Sequence, residues 1–253
     1  MTLGQVNFEG RDRVQVAIDR IRMFEPGEGY YLAFSGGKDS QCIYHLAKEA
    51  GVKFDAHFHF TTVDPPEVIR FIKEQYPDVE IEYPDMSMFQ LIHKKGMPTR
   101  LSRFCCAELK EHGGEGRTVM LGIRWAESAR RRRYKMVELC NKPTGRNLVS
   151  PIIDWSSKEV WEYLNRQRLP HCSLYDEGYK RIGCVLCPMA SARQSRKEIT
   201  RFPKLARAWW LACKKYYGKG LPGCQRWDSA DDYWQWWLSR KGQRNKAQAV
   251  MFE

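Results

Sequence analysis

Ser35-Gly36-Gly37-Lys38-Asp39-Ser40 places small residues, a lysine and a carboxylate next to one another. Two adjacent glycines let backbone N–H groups approach an anion closely, and the lysine adds a full positive charge. A helix starting here would add its unpaired N–H groups and the positive end of its dipole. The string reads as a phosphate cradle. It is not the Gly-x4-Gly-Lys-Ser/Thr loop, because no glycine stands at the required distance upstream. A tight Gly-Gly turn without a ligand is the plain alternative.

Sulfur supplies the second constellation. Among nine cysteines, Cys105-Cys106 and Cys184-Val185-Leu186-Cys187 have the tight spacing of metal ligands. Four soft ligands suit an iron–sulfur cluster or zinc, and unliganded buried thiols remain a third reading. Adjacent cysteines are awkward around one tetrahedral ion, whereas a cluster spreads its attachments over several irons. Cys42, Cys140, Cys172, Cys213 and Cys224 lack such spacing, so core packing is expected for them. His57 and His59 alternate on a predicted strand, while His93, His112 and His171 are isolated. The histidines thus form no metal motif, and structural roles are expected for all six.

The elements that must position these groups alternate along the chain. Residues 1 to about 29 read as a helical lead-in that closes at Pro26-Gly27-Glu28-Gly29. Tyr30 to Phe34 is a short apolar run, and Ile43, Leu46, Ala47 and Ala50 then share a helical face that Gly51 ends. Residues 54–60 alternate as a strand, Pro65-Pro66 opens a helix, and residues 79–83 and 118–122 read as further strands, with a short helix from Met88 to Lys95. Ser156 and Glu159 form a capping box. The expectation is an α/β fold, a mostly parallel sheet with helices on both faces. Its ligands would bind at the carboxyl ends of strands, in the loops 35–40, 61–64 and 122–128.

Residues 191–253 hold 14 Lys and Arg against 5 Asp and Glu, nine of the twelve net positive charges. They read as a basic helical extension to a domain spanning 1–190, with helices after Pro203 and after Ser229. Trp209, Trp210, Trp227, Trp234, Trp236 and Trp237 alternate there with cations, a pattern that suits stacking on nucleic-acid bases. Packing of the tryptophans between helices, with the charges as their wet faces, is the competing reading. No apolar run approaches the roughly 20 residues of a membrane span, and residues 1–10 lack a secretory pattern, so a cytoplasmic protein that does not enter the membrane is expected.

The six-residue loop resembles the SGGxDS loop of the PP-loop ATP pyrophosphatases, the superfamily that includes the phosphoadenylyl-sulfate and adenylyl-sulfate reductases. The resemblance extends over about residues 30–190: Gly122-Ile123-Arg124 with Glu127-Ser128 and Arg131, Ser150-Pro151 through Val160-Trp161, and Asp176-x-Gly178-Tyr179 with Ile182-Gly183-Cys184 are similar to stretches of that family. It implies a Rossmann-like PP-loop domain binding ATP or adenylyl sulfate. Ser35, Gly37, Lys38 and Ser40 would contact the anion, with Gly36 and Gly122 shaping the site. Asp39 would hold Mg²⁺ and Arg124 would contact the nucleotide, which makes Lys38, Asp39 and Arg124 the catalytic candidates. In the adenylyl-sulfate reductases a CC pair and a later C-x-x-C hold a four-iron four-sulfur cluster, which assigns Cys105, Cys106, Cys184 and Cys187 to that role.

Those reductases also carry a late Glu-Cys-Gly-Leu-His segment whose cysteine attacks the sulfate sulfur. Here the residues are Gln248 to Glu253, and neither Cys213 nor Cys224 matches that motif. The sequence is thus similar to ATP-using relatives in nucleic-acid sulfur modification, in which ATP is cleaved to AMP and pyrophosphate and a sulfur donor then displaces AMP. A nucleic acid and a donor such as a cysteine desulfurase are the implied partners. A reductase using a partner's thiol and a non-catalytic nucleotide-binding subunit are the alternatives.

Overall fold

The computed structural model describes residues 12–139, 145–221, 224 and 226–240. The apolar run before the glycine pair becomes β1 (Tyr30–Ala33), and the alternating segment after it becomes β2 (Phe54–His59). β3 (Glu80–Glu82), β4 (Thr118–Met120), β5 (Val137–Leu139) and β6 (Asn147–Val149) complete a six-stranded sheet, ordered β3-β2-β1-β4-β6-β5. Every pairing is parallel except β5 with β6. The fold is therefore α/β with a mostly parallel sheet. The antiparallel edge pair was not foreseen, since each of its strands is only three residues long and neither shows a clear alternation.

The helices start where the local chemistry favours it. α1 (Arg13–Met23) is capped by Asp12, whose side chain accepts from the Val14 N–H. α2 (Lys38–Ala50) begins inside the glycine-rich string and stops at Gly51, which takes the left-handed conformation with φ 70°. α3 (Pro66–Gln75) has proline in its first turn, and α6 (Ser157–Arg166) has the reciprocal capping box at Ser156 and Glu159. Ile43, Leu46 and Ala47 are buried as their spacing predicts. Around them, Tyr163 donates to Glu49 at 2.6 Å, Arg20 meets Asp154 at 2.8 Å, and the Tyr30 hydroxyl donates to the Ile21 carbonyl at 2.8 Å.

From β1 the chain runs outward through β2 to β3 and then returns to place β4 on the opposite side of β1. Such a reversal opens a crevice at the carboxyl ends of the two strands beside it. The loops that follow β1 and β4 are the ones set there.

The chain forms two compact units. The first holds the sheet and comprises residues up to 60, 64–83 and 111–183. The second joins 61–63 and 84–110 to the chain from Cys184 onward. It is thus larger than the extension expected after residue 190. α4 (Met88–Lys95) and α5 (Phe104–Leu109) belong to it together with α7 (Ala192–Arg201), α8 (Pro203–Tyr217) and α9 (Ala230–Ser239). α4 buries Met88, Leu91 and Ile92 and packs on α8, and Gly96 lies so close to the Tyr216 ring that a Cβ there would meet it at 2.9 Å. The apolar stripe of α4 was legible in the sequence, but its partner more than a hundred residues later was not. In the interior of this unit Trp237 stacks on Trp209 at 5.0 Å and on Trp234 at 5.2 Å, and its indole N–H donates to the Pro98 carbonyl at 2.6 Å. No described helix is long and apolar enough to cross a membrane.

Candidate functional site

In the first unit the loop from Ser35 to Ser40 is held by its own hydroxyls. Ser40 Oγ donates to the Gly37 carbonyl at 2.8 Å and accepts from the Ser35 N–H at 3.1 Å. That hydroxyl staples the turn. Gly36 adopts φ 68° and lies against Val68 and Ile72 of α3. Gly37 caps α2 with no side-chain bond. The first N–H groups of α2 thus have no acceptor from a cap, and the positive end of the dipole faces the same place. The N–H of Lys38 is taken by the hydroxyl of Tyr175 at 2.9 Å, and burial pushes that hydroxyl's pKa up.

Lys38 is buried and its ammonium pairs with Asp39 at 2.8 Å. The other oxygen of Asp39 accepts from Arg124 Nε at 2.7 Å. Arg124 is only 1% exposed, and its remaining nitrogens reach the Trp155 carbonyl at 3.1 Å and Ser157 Oγ at 3.2 Å. Its backbone N–H is held by Glu127, which also pairs with Arg131. Gly122 permits this approach, because a Cβ there would stand 2.9 Å from the backbone of Asp39. Ser35, Gly36, Gly37, Lys38, Asp39, Ser40, Gly122 and Arg124 are therefore brought together. Arg124 reaches the loop through Asp39.

In the second unit Cys105 and Cys106 lie on α5 and line one small cavity, of about 20 Å³, together with Cys184 and Cys187. Thr61, Met88, Leu109, Lys110, Pro188 and Trp209 complete its wall. A hydrogen bond with Cys106, then burial and the nearness of Cys106, Cys184 and Cys187, push the Cys105 thiol well above its ordinary pKa. Crowded thiols of this kind are relieved when they become thiolates on a metal. No described cysteine is in a disulfide.

The Cys184–Cys187 turn has dedicated supports that sequence reasoning missed. Leu186 adopts the left-handed conformation, φ 59°, which is uncommon for a residue with a Cβ. Its N–H donates to Glu198 Oε2 at 2.7 Å. Arg240 donates from Nη2 to the carbonyls of Leu186 at 3.1 Å and Cys187 at 3.2 Å, and to Ser195 Oγ at 3.0 Å. Burial pushes the Glu198 carboxyl above its usual range and draws Arg240 down to about 10, against the pull of Cys187 and Glu198. The available signal was a carboxylate eleven positions after Cys187. Tyr175 adjoins the Asp176-x-Gly178-Tyr179 stretch and was overlooked as well.

Cys213 and Cys224 are buried, and burial pushes the Cys213 thiol up to about 12. Cys42 and Cys172 are buried too, so among the described residues no cysteine outside the group of four is exposed. Cys140 lies outside the described residues.

Residues 29–190 match the model of the phosphoadenosine phosphosulfate reductase domain. The chain is similar to an uncharacterized protein of Methanocaldococcus jannaschii, 29% identical over 201 residues that cover 74% of this chain and 42% of that one. It is also similar to the adenosine 5'-phosphosulfate reductase of Staphylococcus haemolyticus, 28% identical over 179 residues covering 61% and 67%. The chain spans about half the length of its Methanocaldococcus jannaschii relatives, 42% of one and 51% of another. Among solved structures, the phosphoadenylyl-sulfate reductase of Candida auris shares the fold, with a TM-score of 0.50, 18% identity, and coverage of 71% of this chain and 96% of that one.

Proposed function

The chain belongs to the phosphoadenosine phosphosulfate reductase family, and from that premise we propose an enzyme that cleaves ATP to AMP and pyrophosphate to activate an acceptor for sulfur transfer. The observation that carries the reading is the start of α2, a helix N-terminus without a side-chain cap, flanked by Lys38 and by an Asp39 set between two cations. Backbone N–H groups there would hold the nucleotide phosphates, with Lys38 offsetting their charge. Asp39 would carry Mg²⁺. Arg124 would keep the Asp39 carboxylate aimed while Gly122 keeps the two loops in contact. Attack of an acceptor oxygen on the α-phosphorus would expel pyrophosphate and leave an adenylylated acceptor. A sulfur donor, a cysteine desulfurase being the expected class, would then displace AMP.

The four cysteines suit a soft-metal centre, because all four line one cavity, with Thr61 and Lys110 as the other polar residues of its wall. We assign Cys105, Cys106, Cys184 and Cys187 to a four-iron four-sulfur cluster. When bound, such a cluster would supply iron able to hold the sulfur in transit. A single zinc is the alternative that the small cavity also suits.

Adenylyl-sulfate reduction is the second reading, favoured by the reductase among the similar proteins. Thiol attack requires an accessible thiolate. The buried state of Cys213 and Cys224 argues against either supplying it, and a thiol from a partner is the route proposed for that reading.

Titration with ATP tests the loop. Lys38→Ala and Gly37→Val should each abolish or strongly weaken binding while far-UV circular dichroism stays unchanged. Wild-type affinity in both variants would remove the loop from the site. Protein purified without oxygen should contain about four irons, as a cluster on four thiolates requires. One tightly held zinc would establish the tetrahedral alternative.

A further inference from the structure

A second constellation lies in the first unit. Strands of a parallel sheet are ordinarily apolar on both faces. Here the registers Tyr31↔Asp55, His57↔Glu80 and His59↔Glu82 put six polar residues on one face of β1, β2 and β3, because residues two apart on a strand share a face. At the carboxyl ends of β2 and β3, His59 and Glu82 stand side by side. His112 reaches them from the loop before β4, its ring set edge-on to His59 with centroids 4.3 Å apart. One ligand atom from each of the three residues lies within 4.8 Å of the others.

The polarity of the hydrogen bonds defines which atom of His59 faces the gap. The Tyr31 hydroxyl has one proton and donates it to Glu82 Oε1 at 2.8 Å. Its contact with His59 Nε2, also 2.8 Å, must then run from the ring N–H to the hydroxyl oxygen. In the neutral ring this leaves the lone pair on Nδ1, which lies 3.3 Å from Glu82 Oε2. A carboxylate oxygen and an imidazole nitrogen so placed can share a proton or hold a metal cation between them. Ligand atoms at about 2.0–2.1 Å from a tetrahedral metal stand about 3.3–3.4 Å apart, the spacing of the His59–Glu82 pair.

The surroundings hold the donors in place. Gly113 and Gly114 adopt positive φ, and a Cβ at Gly113 would strike the Tyr31 hydroxyl and the His59 ring, so the loop lies directly on them. Arg146 pins that loop on either side of His112, donating to the Gly113 carbonyl at 3.0 Å and to the Glu111 carbonyl at 3.2 Å. Behind the donors, His57 places Nδ1 2.8 Å from Glu82 Oε1 and its other nitrogen on Asp55, which Arg117 grips at 2.7 Å. Chains of carboxylate and imidazole behind the first ligands are what orient metal-binding groups.

We propose that His59, Glu82 and His112 hold a divalent transition metal of the zinc class, with a fourth position open to water or a substrate oxygen. Two imidazoles and one carboxylate with an open position form a donor set found in catalytic zinc sites. The site lies on the same carboxyl edge of the sheet as the nucleotide loop, which follows β1. It does not depend on ATP being the substrate.

The full chain, with its cysteine centre filled as isolated, can be titrated with Co²⁺. One added equivalent should give visible bands of nitrogen and oxygen coordination without thiolate charge-transfer absorption. Zn²⁺ should displace it. His112→Ala and the isosteric Glu82→Gln should lose that equivalent while iron or zinc on the cysteines and ATP affinity are unchanged. His57→Gln should weaken it by about 10–100-fold, as loss of a supporting group does. The proposal fails if the wild type takes up no further metal, if thiolate bands accompany it, or if both His112→Ala and Glu82→Gln bind as the wild type does.

Discussion

Gly122 shows how narrowly single positions constrain the nucleotide site. Any side chain there would push β4's loop from the backbone of Asp39, only 2.9 Å from a Cβ. Gly122→Ala should therefore weaken ATP binding and destabilise the fold by about 1–3 kcal/mol, the usual range for overpacking, which a titration and a melting curve would read. Unchanged affinity would show that the Asp39–Arg124 contact is dispensable. Glu198 is the counterpart beside the cysteines. Glu198→Ala leaves the buried Leu186 N–H without its acceptor and should cost about 1–3 kcal/mol and lower the metal retained on purification. Glu198→Gln keeps an acceptor oxygen and should restore it. Equal metal content in the alanine variant would mean that the turn holds its shape unaided.

At the scale of elements, several helices were legible: α2 follows the glycine pair, Pro66 opens α3, α4 spans Met88–Lys95 and Ser156 caps α6. α7 was not, because it buries only Ser195 and Glu198 and has no stripe to read. His59 and Glu82 meet through strand register, and His112 through a loop that Arg146 holds, neither of which a single sequence reveals. α2 also carries a testable pH response. Burial, and then Lys48, lower the His45 pKa from 6.5 to about 4. The unfolded chain takes up a proton near 6.5 that the folded chain refuses until about 4, so stability is complete above 6.5 and falls as the pH drops through that window. His45→Gln should flatten the decline in melting temperature between pH 7.5 and 4.5; an identical decline would assign it to other groups. In the second unit, Trp237→Ala should cost about 3–5 kcal/mol, as for a large buried aromatic, since it removes the centre of the indole stack.

For the whole molecule, the two readings of the tryptophans divide by exposure. Trp209, Trp234 and Trp237 are buried, so they pack helices and are closed to bases. Lys214 and Lys215 at the end of α8 are exposed, with Lys214 lying over the Trp210 ring at 5.2 Å. If this surface follows a phosphate backbone, oligonucleotide affinity should fall steeply with salt, and replacing both lysines with alanine should reduce the log–log slope. Absence of binding at low salt would make the basic surface a matter of solubility. Family and fold followed from the loop, the strand alternation and the cysteine spacing, but the substrate did not, because a loop built to hold a phosphate would suit ATP and adenylyl sulfate alike. The most direct measurement is therefore product analysis after incubating oxygen-free protein with ATP and, separately, with adenylyl sulfate. ATP should yield AMP and pyrophosphate, and Lys38→Ala should yield neither; sulfite from adenylyl sulfate with ATP left intact, or no turnover of either, would contradict the proposed activity.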